Sequence, residues 1–326
     1  MQHVTQRYGD LAAVDDVTLD VPAGTILGVI GPSGSGKTTL IRILTGTLPP
    51  TDGTLEVLGE HPRKFRRQTR EKLGYMPQNF VLYEELTAWE NLSFVASLFG
   101  LMWPQRGRRV KRLLMLLELW DARKRRARQL SGGMQRRLEL ACALVHDPLL
   151  LFVDEPTAGL DPMLRQKIWT EFHRLRDRGR TLVVTTQVVS EAAYCDAVAV
   201  LSRGRLIALA PPDELRRMAS GGDIVQIKTA AAFDGVALEE LHGVREVRQR
   251  TPREILVISD NAGTTLPRVV EAIQAAGGSV ESSSEYRPTF DEVFSTLVER
   301  AAPSPNPLPE GEADTEHDER VSPRAA

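Results

Sequence analysis

The residue pattern predicts an α/β fold: a mostly parallel sheet with an all-α block inserted into it, followed by a small α+β domain. Three observations carry this reading. A glycine-rich turn, Gly31 to Gly36, separates a short apolar run from a helix-forming stretch. Further apolar runs lack polar alternation, as strands buried on both faces do. Beyond a Pro-Pro pair at Pro211 and Pro212, followed by Gly221 and Gly222, the pattern changes to βαββαβ, the order of a ferredoxin-like unit.

Each element follows from its own residues. Ile26 to Ile30 reads as a strand, the helix after the turn opens near Lys37, and Gly46 sits where a helix C-terminal cap belongs. Leu73 to Met76, Leu149 to Val153, Thr181 to Thr185 and Ala197 to Leu201 read as further strands. Between the second and third of these five strands, from about residue 86 to 145, the periodicity is helical. In the second unit, Ile224 to Lys228, Val244 to Arg248, Ile255 to Ile258 and Ser279 to Ser284 are strand-like, and Phe233 to Leu241 and Thr264 to Ala276 are helical. Phe290 to Glu299 is a final helix. Residues 301–326 hold six acidic and two basic residues, five prolines and scarcely any apolar groups, so this tail is expected to be disordered.

The domains expected are therefore 1–220, 223–300 and the tail. The 326 residues carry 41 basic and 43 acidic side chains, a net charge of −2 that gives no reason to expect a nucleic-acid partner. The longest uncharged apolar stretch, Asn91 to Gln105, is interrupted by Ser93, Ser97 and Pro104, so no spanning helix is expected. Met1 to Asp10 does not read as a secretory signal. Cys142 and Cys195 are far apart in sequence and read as free thiols of a reducing compartment.

Gly31-Pro32-Ser33-Gly34-Ser35-Gly36-Lys37-Thr38 matches G-x-x-x-x-G-K-[ST] between a strand and a helix. Such a P-loop turns backbone N–H groups inward at a helix N-terminus, Lys37 neutralises β- and γ-phosphate charge, and Thr38 offers a hydroxyl to Mg²⁺. Downstream, Leu149 to Val153 ends in Asp154-Glu155. Asp154 is placed to hold the magnesium, and Glu155 to orient and deprotonate water.

With these residues in place, Leu130-Ser131-Gly132-Gly133-Met134-Gln135 resembles the signature motif of ABC transporter ATPases. The resemblance covers about residues 1–215. It implies a P-loop NTPase of the ABC nucleotide-binding type, binding ATP and Mg²⁺. Tyr8 resembles the aromatic that stacks on adenine, Gln78 the Q-loop residue on magnesium, and Gly159-Leu160-Asp161 the D-loop. The phosphate contacts fall on Gly31 to Thr39. Ser131 can cap a helix beginning near Met134, leaving Gly132 and Gly133 to present bare N–H groups. The resemblance implies a head-to-tail pair of ATPase subunits, with ATP clamped between one subunit's Lys37 loop and the other's Ser131 loop.

One position departs from the pattern. Where the family has a switch histidine, this chain reads Thr185-Thr186-Gln187. Glutamine keeps a donor and an acceptor but cannot titrate. A competent but slow γ-phosphate sensor is expected, and binding with scarcely any hydrolysis is the alternative. The segment from Pro288 to Phe294 resembles the closing motif of ABC-2 type exporter ATPases, and residues 223–300 the extension of drug-export subunits related to daunorubicin resistance.

The resemblance therefore implies an exporter ATPase at the cytoplasmic face of the membrane, serving a separately encoded permease. An importer subunit and a soluble ABC ATPase acting on ribosomes or DNA are the alternatives. Residues 104–128, with ten basic and two acidic side chains, suit either anionic lipid and the permease or a solvated helical face. Phe80, Tyr83, Leu86 and Trp89 are either an apolar docking groove or core beneath the helical block.

Overall fold

A computed structural model describes residues 1–301. Apart from Ala301, the tail expected to be disordered lies outside the described residues. In chain order the elements are β1 (Gln2–Tyr8), β2 (Leu11–Val17), β3 (Ile26–Ile30), α1 (Lys37–Leu44), β4 (Asp52–Thr54), α2 (Arg67–Arg70), β5 (Leu73–Met76), α3 (Ala88–Leu98), α4 (Gln105–Leu116), α5 (Gly132–Leu144) and β6 (Leu150–Asp154). There follow α6 (Pro162–Asp177), β7 (Thr181–Thr186), β8 (Ala197–Ser202), β9 (Arg205–Ala210), α7 (Pro212–Ser220), β10 (Asp223–Thr229), β11 (Val244–Thr251), β12 (Glu254–Ser259), α8 (Ala262–Ala275), β13 (Val280–Tyr286) and α9 (Phe290–Ala301).

The central sheet runs β5-β6-β7-β3-β8-β9, parallel except for the antiparallel edge strand β9. All residues of β3 and β6 are buried, which explains why their sequence shows no alternation. The carboxyl ends of the neighbours β3, β7 and β6 converge on one edge, where open α/β sheets bind ligands. The helical block α3 to α5 packs on the β5 side. Thr87 and Glu90 form a reciprocal capping box that starts α3.

A three-stranded antiparallel sheet, β2-β1-β4, covers α1. Its strands are largely exposed and bury few residues in no regular alternation, so they carry little periodic signal. The second unit is an antiparallel sheet ordered β11-β12-β10-β13, which is the ferredoxin-like order. The expected helix Phe233 to Leu241 is reduced to a 3₁₀ turn at Gly235–Leu238, capped by Asp234. Helix α9 does not stay with this sheet. It returns to the first unit and packs on α7, β9 and the 3₁₀ segment Val189–Tyr194, burying Phe290, Val293 and Leu297 in that unit's core. No helix among the described residues is long and apolar enough to cross a membrane.

Candidate functional site

The loop between β3 and α1 closes because two positions accept no side chain. A Cβ on Gly31 would lie 2.4 Å from the Leu201 carbonyl oxygen. At Gly36, φ is +103° and a Cβ would meet the Ala13 carbonyl at 2.2 Å. Lys37 then begins α1 and folds its ammonium back over the loop, donating to the carbonyls of Gly31 (2.8 Å) and Pro32 (3.0 Å). Burial lowers its pKa, and the carboxylates of Glu155 and Asp154 act against that shift.

A cavity of about 300 Å³ opens at this loop. Ser33, Gly34, Gly36, Lys37, Thr38 and Thr39 line it from one side, Tyr8, Leu11 and Ala13 from another, and Gln78, Glu155 and Gln187 from the sheet edge. Tyr8 is 48% exposed, with its ring open to a planar partner. The Thr38 hydroxyl donates to Gln78 Oε1 at 3.4 Å, which brings two of the three expected magnesium ligands together.

Asp154, the third, is fully buried at the end of β6. Thr185 Oγ1 on β7 donates to its Oδ1, while its Oδ2 is buried with no protein partner. Ser35 Oγ is likewise buried and unpaired. Asp154 does not line that cavity, but its bare carboxylate oxygen, the Thr38 hydroxyl and the Gln78 amide oxygen are hard-oxygen donors of the kind Mg²⁺ takes, so the residues fit the ion in their chemistry. Glu155 sits in the left-handed region at φ +54°, and its N–H donates to both the carbonyl and the hydroxyl of Thr185. Gln187 Nε2 donates to Glu155 Oε1 at 2.6 Å.

Ser131, Gly132, Gly133 and Asp161 are not in this cavity. Ser131 caps α5, accepting from Met134 N–H at 3.4 Å, and the helix starts at Gly132 rather than near Met134. Gly132 and Gly133 carry no side chain, and an added Cβ would meet nothing within 4 Å at Gly132 and only Leu160 Cδ2 at 3.5 Å at Gly133, so the helix N-terminus is uncovered. Asp161 caps α6 by accepting from Leu164 N–H at 3.0 Å. Sequence reasoning missed Thr185 and also the buried chain in which Thr157 Oγ1 donates to Glu191 at 2.7 Å while Arg165 lies 3.5 Å from the same carboxylate. Arg136, next to Arg137 in sequence, was missed as well. Only its burial at 7% exposure sets it apart.

Of the four expected docking residues, Phe80 and Tyr83 are exposed, whereas Leu86 and Trp89 are half-buried under the helical block. Beside them is an apolar cavity of about 270 Å³, lined in part by Val81, Leu82, Val95, Phe99 and His146. Much of the basic segment serves structure. Arg109 caps the end of α5 through the Leu144 and Val145 carbonyls, Arg123 lies over the Trp120 ring, and Arg126 and Arg128 pair with Glu85.

Known proteins resemble this chain over both of its units. Residues 14–158 match the family model described as ABC transporter, and residues 211–298 that described as ATP-binding protein DrrA1-3-like, C-terminal domain. The daunorubicin resistance ATP-binding protein DrrA3 of Streptomyces coeruleorubidus is 38% identical over 296 residues, covering 90% of this chain and 93% of that one. The protein named Probable multidrug ABC transporter ATP-binding protein YbhF, from Escherichia coli K12, is 37% identical over 222 residues. That match takes in 68% of this chain and spans 38% of the length of the relative. Among solved structures, a dimeric ATP-binding cassette in a post-hydrolysis state with ADP and Pi superposes with a TM-score of 0.60 at 28% identity, covering 64% of this chain and 97% of that one.

Proposed function

The chain belongs to the ABC transporter ATP-binding family, in the branch with a DrrA-like C-terminal domain, and on that premise we propose that it is the ATP-hydrolysing subunit of an exporter. The observation that carries this reading is the meeting of the Lys37 loop, Glu155 and Gln187 around one cavity, with the base already hydrogen-bonded to the glutamine.

In this reading Tyr8 stacks on adenine, and the N–H groups from Gly31 to Thr39 hold the phosphates, with Lys37 exchanging its loop carbonyls for phosphate oxygens. Thr38, Gln78 and Asp154 hold Mg²⁺. The ion, when bound, neutralises phosphate charge that would repel an incoming nucleophile. Glu155 takes the proton of the attacking water as the bond to the γ-phosphorus forms and ADP departs. Gln187 fixes one oxygen of that carboxylate and turns its amide toward the γ-phosphate.

Ser131, Gly132 and Gly133 close on the phosphate of a partner subunit, with Asp161 at the same junction. The nucleotide is then part of a dimer interface that opens after hydrolysis. A separately encoded permease docks on the apolar cavity beside Phe80, Val81 and Tyr83, which places the chain peripherally on the cytoplasmic face of the membrane. The DrrA-like match over 211–298 supports export over import.

The test is fractionation in the native host. A tagged chain is expected in the membrane fraction, and after detergent extraction it is expected with one multi-span protein that raises its ATPase rate. Recovery with ribosomes, or in the soluble fraction with and without ATP, contradicts the proposal.

A further inference from the structure

Arg136 lies one turn inside α5, downstream of the Ser131 cap, and its side chain points into the protein. Nη1 donates to the carbonyls of Pro77 (2.7 Å) and Gln78 (3.0 Å) and to Glu139 Oε2 (3.2 Å). Nη2 donates to the carbonyls of Asp154 and Glu155, the latter at 3.2 Å, and Nε reaches Glu155 at 3.4 Å. Glu139, 2% exposed, completes the group by accepting from Val81 N–H through Oε1 at 2.9 Å. Two loops that do not pair with each other thus share one guanidinium. One carries Gln78, and the other carries Glu155.

We propose that Arg136, held by Glu139, is a positioning residue that fixes the backbone of Glu155 and couples it to the 77–83 loop. The inference rests on the ATPase reading above. Glu155 occupies a left-handed conformation that a residue with a Cβ adopts only when its surroundings enforce it. Two N–H donors on its carbonyl, and one on that of Asp154, supply the enforcement. A planar fork with five donors can serve four carbonyls on two loops, whereas an ammonium cannot span them. The buried cation is compensated by Glu139, whose own pKa burial raises against the lowering effects of Val81 N–H and Arg136. A shift of the 77–83 loop, where the permease is proposed to dock, therefore moves the carbonyl of the base through a single side chain.

The test uses the full chain with Arg136→Lys, and Glu139→Gln as a second variant that keeps an acceptor for Val81 N–H. Steady-state ATPase kinetics, Mg-ATP affinity and amide hydrogen exchange are read for each. Expected for Arg136→Lys are a fall in kcat of about tenfold or more, an affinity within about twofold of the parent, and faster exchange in both 77–83 and 154–158. Glu139→Gln is expected to show the same pattern more weakly. An unchanged kcat, a rise in KM alone, or faster exchange confined to one loop overturns the proposal. A parent chain without ATPase activity counts against the ATPase reading instead, while the paired exchange of the two loops still decides whether Arg136 couples them.

Discussion

Gln187 holds Glu155 at 2.6 Å, amide nitrogen to carboxylate oxygen, across the ends of two adjacent parallel strands. The family's histidine at this place would titrate near neutrality, and an amide cannot. The rate is therefore expected to lack a histidine inflection between about pH 6 and 7. Gln187→His should introduce one. Gln187→Ala should lower kcat by about ten- to a hundredfold with nucleotide affinity nearly intact, because the lost contact serves the transition state. A pH series of kcat for the three proteins checks this.

Lys37 gives a prediction about stability. Its pKa is lowered by burial, so between that lowered value and 10.5 the unfolded chain binds a proton that the fold does not. The lysine's contribution to nucleotide-free stability therefore rises with pH through that window and has its least favourable value below it. Lys37→Met should flatten that part of the stability curve. The variant should also lose the stabilisation by Mg-ATP, which for the parent is about 2.7 kcal/mol at a hundredfold excess over Kd. Thermal melts across pH, with and without nucleotide, measure both.

Substitutions at Gly132 and Gly133 separate the proposed trans role from folding. A Cβ on Gly132 meets nothing within 4 Å, and one on Gly133 only Leu160 Cδ2 at 3.5 Å. Alanine at either place is expected to leave the melting temperature unchanged or slightly higher, since alanine favours helix by up to about 1 kcal/mol over glycine. ATP binding by the monomer should persist, and hydrolysis should fall by about tenfold or more if these N–H groups must approach a partner's phosphate. Calorimetry and ATPase assays on the same preparations check the split.

Phe290 is 6% exposed, packs in the core of the first unit and carries the Arg216 guanidinium 4.0 Å above its ring. Phe290→Ala should destabilise the chain by about 3–5 kcal/mol, the range for a large aromatic removed from a packed site. Chemical denaturation checks it, and the expected fall in midpoint belongs to the first unit because α9 is built into it.

The parts of the fold legible in sequence are those whose chemistry is local. The strands β3 and β6, the Gly31 to Thr38 loop, the Ser131 cap and the Asp154-Glu155 pair each declare themselves within a few residues. The β2-β1-β4 sheet did not, because its strands are largely exposed and bury residues without regular alternation, with irregular registers along β1. Helix α9 was legible as a helix, but its seat on α7 and β9 depends on residues far away in sequence. Thr185, Glu191 and Arg136 stayed hidden for the same reason: their partners lie 31, 34 and up to 59 positions away. Apart from Asp154, which is buried at the end of β6, the site residues drawn from motifs fall into two groups in space. Tyr8, the loop, Gln78, Glu155 and Gln187 line one cavity, and Ser131 to Gly133 and Asp161 stand apart from it.

That separation makes dimerisation the decisive measurement. Glu155→Gln keeps the shape of the base and removes its ability to take a proton, so nucleotide bound between two subunits should not turn over. Light scattering on the variant is expected to give the mass of a dimer with Mg-ATP and of a monomer with Mg-ADP. A variant that binds Mg-ATP and remains monomeric would contradict the shared nucleotide site.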